Sequence, residues 1–206
     1  MHAIVHETGG IREISMGAAL AGKRVACIIG EIKDELAMRF VESMMYFCQE
    51  DAKLPVKVFL HSPGGYMDSG MMIYDAIQTS GLPVEVCCIG EAYSMAALIL
   101  SCGTHGRYIL PHGRVMLHEP MVSCEIGGKS SSLQAVSDAL LRRKQEMNGL
   151  LAKHTGQSVE TLSSITSAER FFTAQEAVEF GLADGIKGLG EMMQGTQDCI
   201  GWGENE

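Results

Sequence analysis

Ser94 and His118 are the residues in this chain whose types and settings suit acyl transfer. Ser94 follows the mostly apolar run Val84-Glu85-Val86-Cys87-Cys88-Ile89 and Gly90, and precedes Met95-Ala96-Ala97-Leu98-Ile99-Leu100. The first run has the length and β-branched content of a buried strand, Gly90 breaks it, and the second reads as a buried helix. A serine at such a junction presents its hydroxyl beside unpaired helix N-terminal amides, which favour developing negative charge. From this stretch alone the plainer reading of Ser94 is a helix N-cap, since caps far outnumber nucleophiles. A nucleophilic serine needs a base to take its proton and donors to hold the oxyanion. His118 ends Val115-Met116-Leu117, an apolar strand whose terminus would hold the imidazole rigidly; the alternative is a buried, hydrogen-bonded histidine. His61, next to Ser62-Pro63-Gly64-Gly65, is the rival base. The glycine pair permits conformations that expose backbone amides, as an oxyanion hole or a substrate groove requires, and it equally makes an ordinary turn.

The elements that must position these groups follow from hydrophobic periodicity. Residues 24–29 read as a buried strand ended by Gly30, after which Ala37, Phe40, Val41, Met44, Met45 and Cys48 recur at helical spacing. Val56, Val58 and Leu60 alternate as a strand, and residues 67–77 form a helical run. Strands separated by helices predict an α/β fold with at least partly parallel pairing. Residues 107–110 and 114–117 are short strands around Pro111-His112-Gly113, and residues 130–154 form a long helix whose apolar stripe is interrupted by Arg142-Arg143-Lys144, as a subunit contact would be. Thr173 caps a helix with Glu176 in the capping-box position, Gly181 ends it, and a strand follows over 182–186. The expected organisation is a flexible arm over residues 1–20, one domain over 21–187 and a loosely ordered tail over 188–206.

At 206 residues and 46% hydrophobic content, the chain has the size of one domain with a substantial core. A formal charge of −9 argues against nucleic acid or an anionic membrane surface as partner. No basic region followed by an apolar core opens the chain, and no segment reaches the roughly 18 uninterrupted apolar residues of a membrane helix. Seven cysteines, with no C-x-x-C pair, read as small core residues in a reducing compartment, which predicts a cytoplasmic protein with no metal site.

Several motifs in order carry a resemblance: Ser62-Pro63-Gly64-Gly65, Ser94-Met95, Leu110-Pro111 with Arg114-Val115-Met116-Leu117-His118, His154-Thr155-Gly156, and Glu176-Ala177-Val178-Glu179-Phe180-Gly181-Leu182. Over roughly residues 20–187 the chain resembles the ClpP family, the proteolytic subunits of Clp proteases. The resemblance implies repeated ββα units of the ClpP/crotonase type, with a projecting strand and helix spanning about residues 121–154 that stacks two seven-membered rings around a chamber. It implies a self-compartmentalising serine endopeptidase that degrades unfolded polypeptides to short peptides, supplied by a separate Clp-type AAA+ unfoldase, with residues 1–20 lining the axial entrance. No cofactor is implied, and the chain carries no G-x-x-x-x-G-K-[ST] of its own.

The family's catalytic serine and histidine fall on Ser94 and His118, and its oxyanion donors on the amides of Gly65 and Met95. Its aspartate falls on Glu169, whose extra methylene requires the backbone to sit about 1 to 1.5 Å farther back to orient a histidine. Read without the family, Glu169 is a surface residue paired with a neighbour. Ala168 replaces a basic residue that helps the family's rings communicate, and residues 121–129 depart from the family's glycine-rich, peptide-binding strand. Two other classes fit parts of the pattern. A non-catalytic ring subunit regulating an active paralogue is consistent with Glu169, and a crotonase-type acyl-CoA enzyme shares the ββα architecture. The G-x-S-x-G elbow is absent, Ala92 and Ala96 standing at its glycine positions.

Overall fold

A computed structural model describes residues 2–7, 10–121 and 130–194. The strands are β1 (His2–Glu7), β2 (Gly10–Ser15), β3 (Val25–Ile29), β4 (Val56–Ser62), β5 (Val84–Tyr93), β6 (Gly106–Ile109), β7 (Arg114–Leu117), β8 (Arg170–Thr173) and β9 (Gly185–Ile186). The helices are α1 (Met16–Gly22), α2 (Asp34–Glu50), α3 (Met67–Thr79), α4 (Met95–Ser101), α5 (Ser130–Thr155), α6 (Val159–Ile165), α7 (Ala174–Phe180) and α8 (Leu189–Met193). Strands β3, β4, β5, β6 and β9 pair in that order, all parallel, which the intervening helices make possible. β7 joins β5 in parallel, and β8 returns antiparallel to β7. The α/β class and parallel pairing expected from the sequence are present.

Both faces of the central strands are covered, so their sequences are apolar nearly throughout. On one face Ile28, Val58, Leu60, Val86 and Cys88 pack with Phe40, Met44, Phe47, Ile73 and Leu98 from the helices. On the other, Val25, Phe59 and Cys87 form a smaller cluster with Leu20 and with Met192 of α8. This second layer explains a departure from the simple alternation read in β4. Lys57, 6% exposed, is buried beneath α8, its ammonium donating to the carbonyls of Met192 (2.5 Å) and Gln194 (2.6 Å). The segment from 188, expected to be loose, is therefore held down as far as residue 194; residues 195–206 lie outside the described residues.

The expected irregular arm holds a hairpin, with β1 and β2 paired antiparallel from His2↔Ser15 to Glu7↔Gly10, followed by α1. Among the described residues these two strands pair only with each other, and Ile4 is 70% exposed, so the hairpin leaves no burial periodicity to read. Gly90 does not end its strand. β5 continues to Tyr93 through a register shift opposite Leu60 and Ser62, keeping β4 on one edge while its partner on the other changes from β6 to β7. A Cβ on Gly90 would stand 2.5 Å from His61 Nδ1, so the glycine is there for close approach.

α5 spans 130–155, one residue beyond the helix read over 130–154, while the strand expected before it falls on residues 122–129, outside the described residues. Its exposed residues 133–137 contrast with the buried Asn148 and Leu151 near its end. α7 has the expected capping box between Thr173 and Glu176 and ends at Gly181, with φ +91°. Cys87, Cys88 and Cys102 are buried as expected, burial pushing the Cys87 thiol up to about 12 and that of Cys88 to about 11. Cys27 differs in being exposed, and Cys124 and Cys199 lie outside the described residues.

Candidate active site

Ser94 joins β5 to α4 with φ +56° and ψ −122°, a region that costs a non-glycine residue on the order of 1–3 kcal/mol. Two contacts hold it there. Its amide donates to the Met116 carbonyl (2.8 Å), and Gly64 packs so closely beneath it that a Cβ at that position would lie 2.8 Å from the Ser94 Cβ. The side chain does not cap α4. Its Oγ instead forms a 2.7 Å hydrogen bond with His118 Nε2. The register Ala92↔Val115 and Tyr93↔Met116 explains the meeting, because β7 runs beside the end of β5 and delivers His118 one residue past its own end.

The Ser62-Pro63-Gly64-Gly65 turn crosses in front of this pair. The Ile32 amide donates to the Gly64 carbonyl (2.8 Å) and the Tyr66 amide to the Ile32 carbonyl (2.9 Å), so Gly65 bridges Ile32 with its own N–H on the opposite side. Among the described residues that N–H makes no hydrogen bond. A Cβ on Gly65 would stand 2.3 Å from the Ile32 carbonyl oxygen, which excludes any larger residue. The Met95 amide, at the first position of α4, has no intrahelical acceptor. Gly65, Ser94, His118 and Glu169 all line one open cleft of about 670 Å³. A smaller pocket of about 30 Å³ is lined by Ser94 and His118, walled by Met67, Leu117, Met147 and Leu151, and reached by the buried Asn148.

Glu169 is placed by β8, a strand absent from the sequence reading. Leu117 pairs with Arg170 as the last pair of the β7–β8 ladder, so Glu169 and His118 both lie just beyond that end of it, and both line the same cleft. Among the described residues Glu169 nonetheless makes no hydrogen bond or ion pair, with His118 or any other group. The rival base His61 is spent elsewhere, its Nδ1 accepting from the Glu91 amide (3.2 Å). Sequence reasoning also missed Ile32, which pins the glycine turn, and Asn148; neither belongs to a recognisable local pattern.

Among the described residues, no cluster of three or more His, Cys, Asp or Glu side chains could hold a metal ion, and no helix is long and apolar enough to cross a membrane.

The sequence is similar to that of known proteins. A sequence model of the family described as Clp protease matches residues 8–188. The chain is 38% identical over 185 residues to ATP-dependent Clp protease proteolytic subunit 2 of Chlamydia trachomatis serovar D, covering 89% of this chain and 90% of that one. The same identity and length relate it to proteolytic subunit 2 of Chlamydia abortus (89% of each chain) and to proteolytic subunit 1 of Chlamydia felis (89% and 90%). A serine at a strained strand-to-helix junction, bonded to a histidine beside a glycine turn and set in a sequence alike over most of its length, leaves one conclusion: the chain belongs to the Clp protease family of serine peptidases.

Proposed function

We propose that this protein hydrolyses peptide bonds of unfolded polypeptides with Ser94 as nucleophile and His118 as general base. The observation that carries the reading is the 2.7 Å bond between Ser94 Oγ and His118 Nε2, within the reach that direct proton transfer requires. Ser94 Oγ attacks the scissile carbonyl carbon as its proton passes to His118. The oxyanion accepts hydrogen bonds from the Gly65 and Met95 amides, donors not otherwise engaged, and is stabilised only once charge develops. His118 then returns the proton to the departing amine, and a water activated by the same imidazole releases the acyl group from Ser94. Glu169 turns toward His118 to accept from Nδ1–H, which keeps Nε2 of the neutral ring free to take the serine proton and stabilises the imidazolium that forms. The pocket beside Ser94 takes an apolar substrate side chain.

The larger setting proposed is that of the family: two stacked heptameric rings enclosing the sites, a Clp-type AAA+ unfoldase supplying unfolded chains, the β1–β2 hairpin at the entrance, and a cytoplasmic location. A fluorogenic peptide and an unfolded protein should both be cleaved by the wild type, and neither by Ser94→Ala or His118→Ala. Cleavage retained in Ser94→Ala would overturn the reading. The unbonded Glu169 favours a second reading, a silent subunit in a mixed ring. That reading requires an assembled homomeric sample to be inactive and a co-purifying paralogue to restore cleavage.

A further inference from the structure

We propose that Lys144 of α5 is a positioning residue for His118, acting through Glu119. This rests on the assignment of His118 as the base. The ring of His118 is bonded to Ser94, and among the described residues no second hydrogen bond orients it. Its placement therefore depends on the backbone at the end of β7, and the next residue is pinned at two points. The Glu119 amide donates to the carbonyl of Thr166, a buried residue at the end of α6 (2.8 Å). The Glu119 carboxylate accepts from the Lys144 ammonium (2.5 Å). Lys144 lies one helical turn before Asn148, whose side chain lines the pocket beside Ser94, so a single stretch of α5 touches both the chain leaving His118 and the pocket next to its partner.

The two roles such a pair could have differ in size. With side chains 26% and 45% exposed, the Lys144–Glu119 pair contributes little to stability. Its geometric effect is larger, because a displacement of about 1 Å at the reacting groups costs about a hundredfold in rate. A latch of this kind therefore leaves a distinctive mark, in which kcat falls while KM and the melting temperature stay put.

The test measures kcat and KM for a fluorogenic peptide, together with melting and ring assembly, on the full-length protein. Removing the ammonium in Lys144→Met is expected to lower kcat about tenfold, with KM within about twofold of the wild type, by the same displacement argument. Lys144→Arg, which keeps a donor within reach of Glu119, is expected to restore kcat to within about twofold. Arg143→Gln serves as control, since Arg143 makes a more exposed pair with Asp68 of α3 (2.7 Å) that does not touch the chain leaving β7, and it should leave kcat unchanged. If Lys144→Met fails to assemble, Glu119→Ala replaces it with the same expected loss.

A wild-type kcat in both Lys144→Met and Glu119→Ala would overturn the proposal, as would Lys144→Arg being as impaired as Lys144→Met. A wild type without Ser94-dependent turnover would instead overturn the assignment of His118, and the latch would fall with it.

Discussion

Replacing Gly64 with alanine tests whether the glycine turn and Ser94 are packed as one unit. The added Cβ would stand 2.8 Å from the Ser94 Cβ and 2.7 Å from the Tyr93 carbonyl oxygen. Packed carbons sit about 3.5–4.0 Å apart, so the turn or the serine must yield by roughly 0.7 Å. The Tyr93 side of the contact is strand backbone held by β7, and the turn is held by Ile32, so neither yields freely. Scaled from about a hundredfold per 1 Å, that displacement lowers kcat roughly 20-fold. Gly64 also has φ +95°, which adds a left-handed penalty of about 1–2 kcal/mol and lowers the melting temperature by roughly 2–8 °C. Gly81→Ala separates the two effects, because Gly81 has φ +73° with nothing within 4 Å of an added Cβ. It should melt lower by a similar amount and keep its kcat. Peptide hydrolysis at saturating substrate, with melting measured on the same samples, reads both. A Gly64→Ala enzyme with wild-type kcat, or an equal kcat loss in Gly81→Ala, would refute the reasoning.

Glu169→Gln removes the charge of the side chain while keeping its shape, and should lower kcat at least about 100-fold with KM little changed; Glu169→Asp should match or exceed the wild type. An unaltered kcat in Glu169→Gln would mean that Ser94 and His118 work without a third group. His154 shares a 2.9 Å hydrogen bond with the Tyr74 hydroxyl, and burial, then the Lys153 and Arg107 cations, pull its imidazole down to about 4. Because the unfolded chain takes up that proton first, stability is complete above about pH 6.5 and declines as pH falls toward about 4. After discounting for partial exposure the decline is roughly 1–2 kcal/mol, and it should disappear from the melting profile of His154→Gln.

Much of the site is legible in the sequence because it sits at element ends. The apolar run to Ile89, the helix from Met95 and the short strand ending at Leu117 mark Ser94 and His118 as termini, and termini are where backbone amides and rigid side chains become available. What was hidden is long-range. Glu169 comes to the His118 end of β7 only because β8 folds back on that strand, and Arg170-Phe171-Phe172-Thr173 is too short to show a period. Met192 gave no sign of burial either, since its carbonyl is met by Lys57, a residue whose type argues for solvent. Gly90 misled for a related reason: a glycine that admits the His61 ring and a glycine that ends a strand look alike without the neighbour.

The account turns on whether His118 activates Ser94, and intact mass after treatment with a fluorophosphonate tests that most directly. One adduct per chain in the wild type, absent from Ser94→Ala and strongly slowed in His118→Ala, is the result expected. No adduct on an assembled wild-type ring, or one that persists in Ser94→Ala, would contradict it.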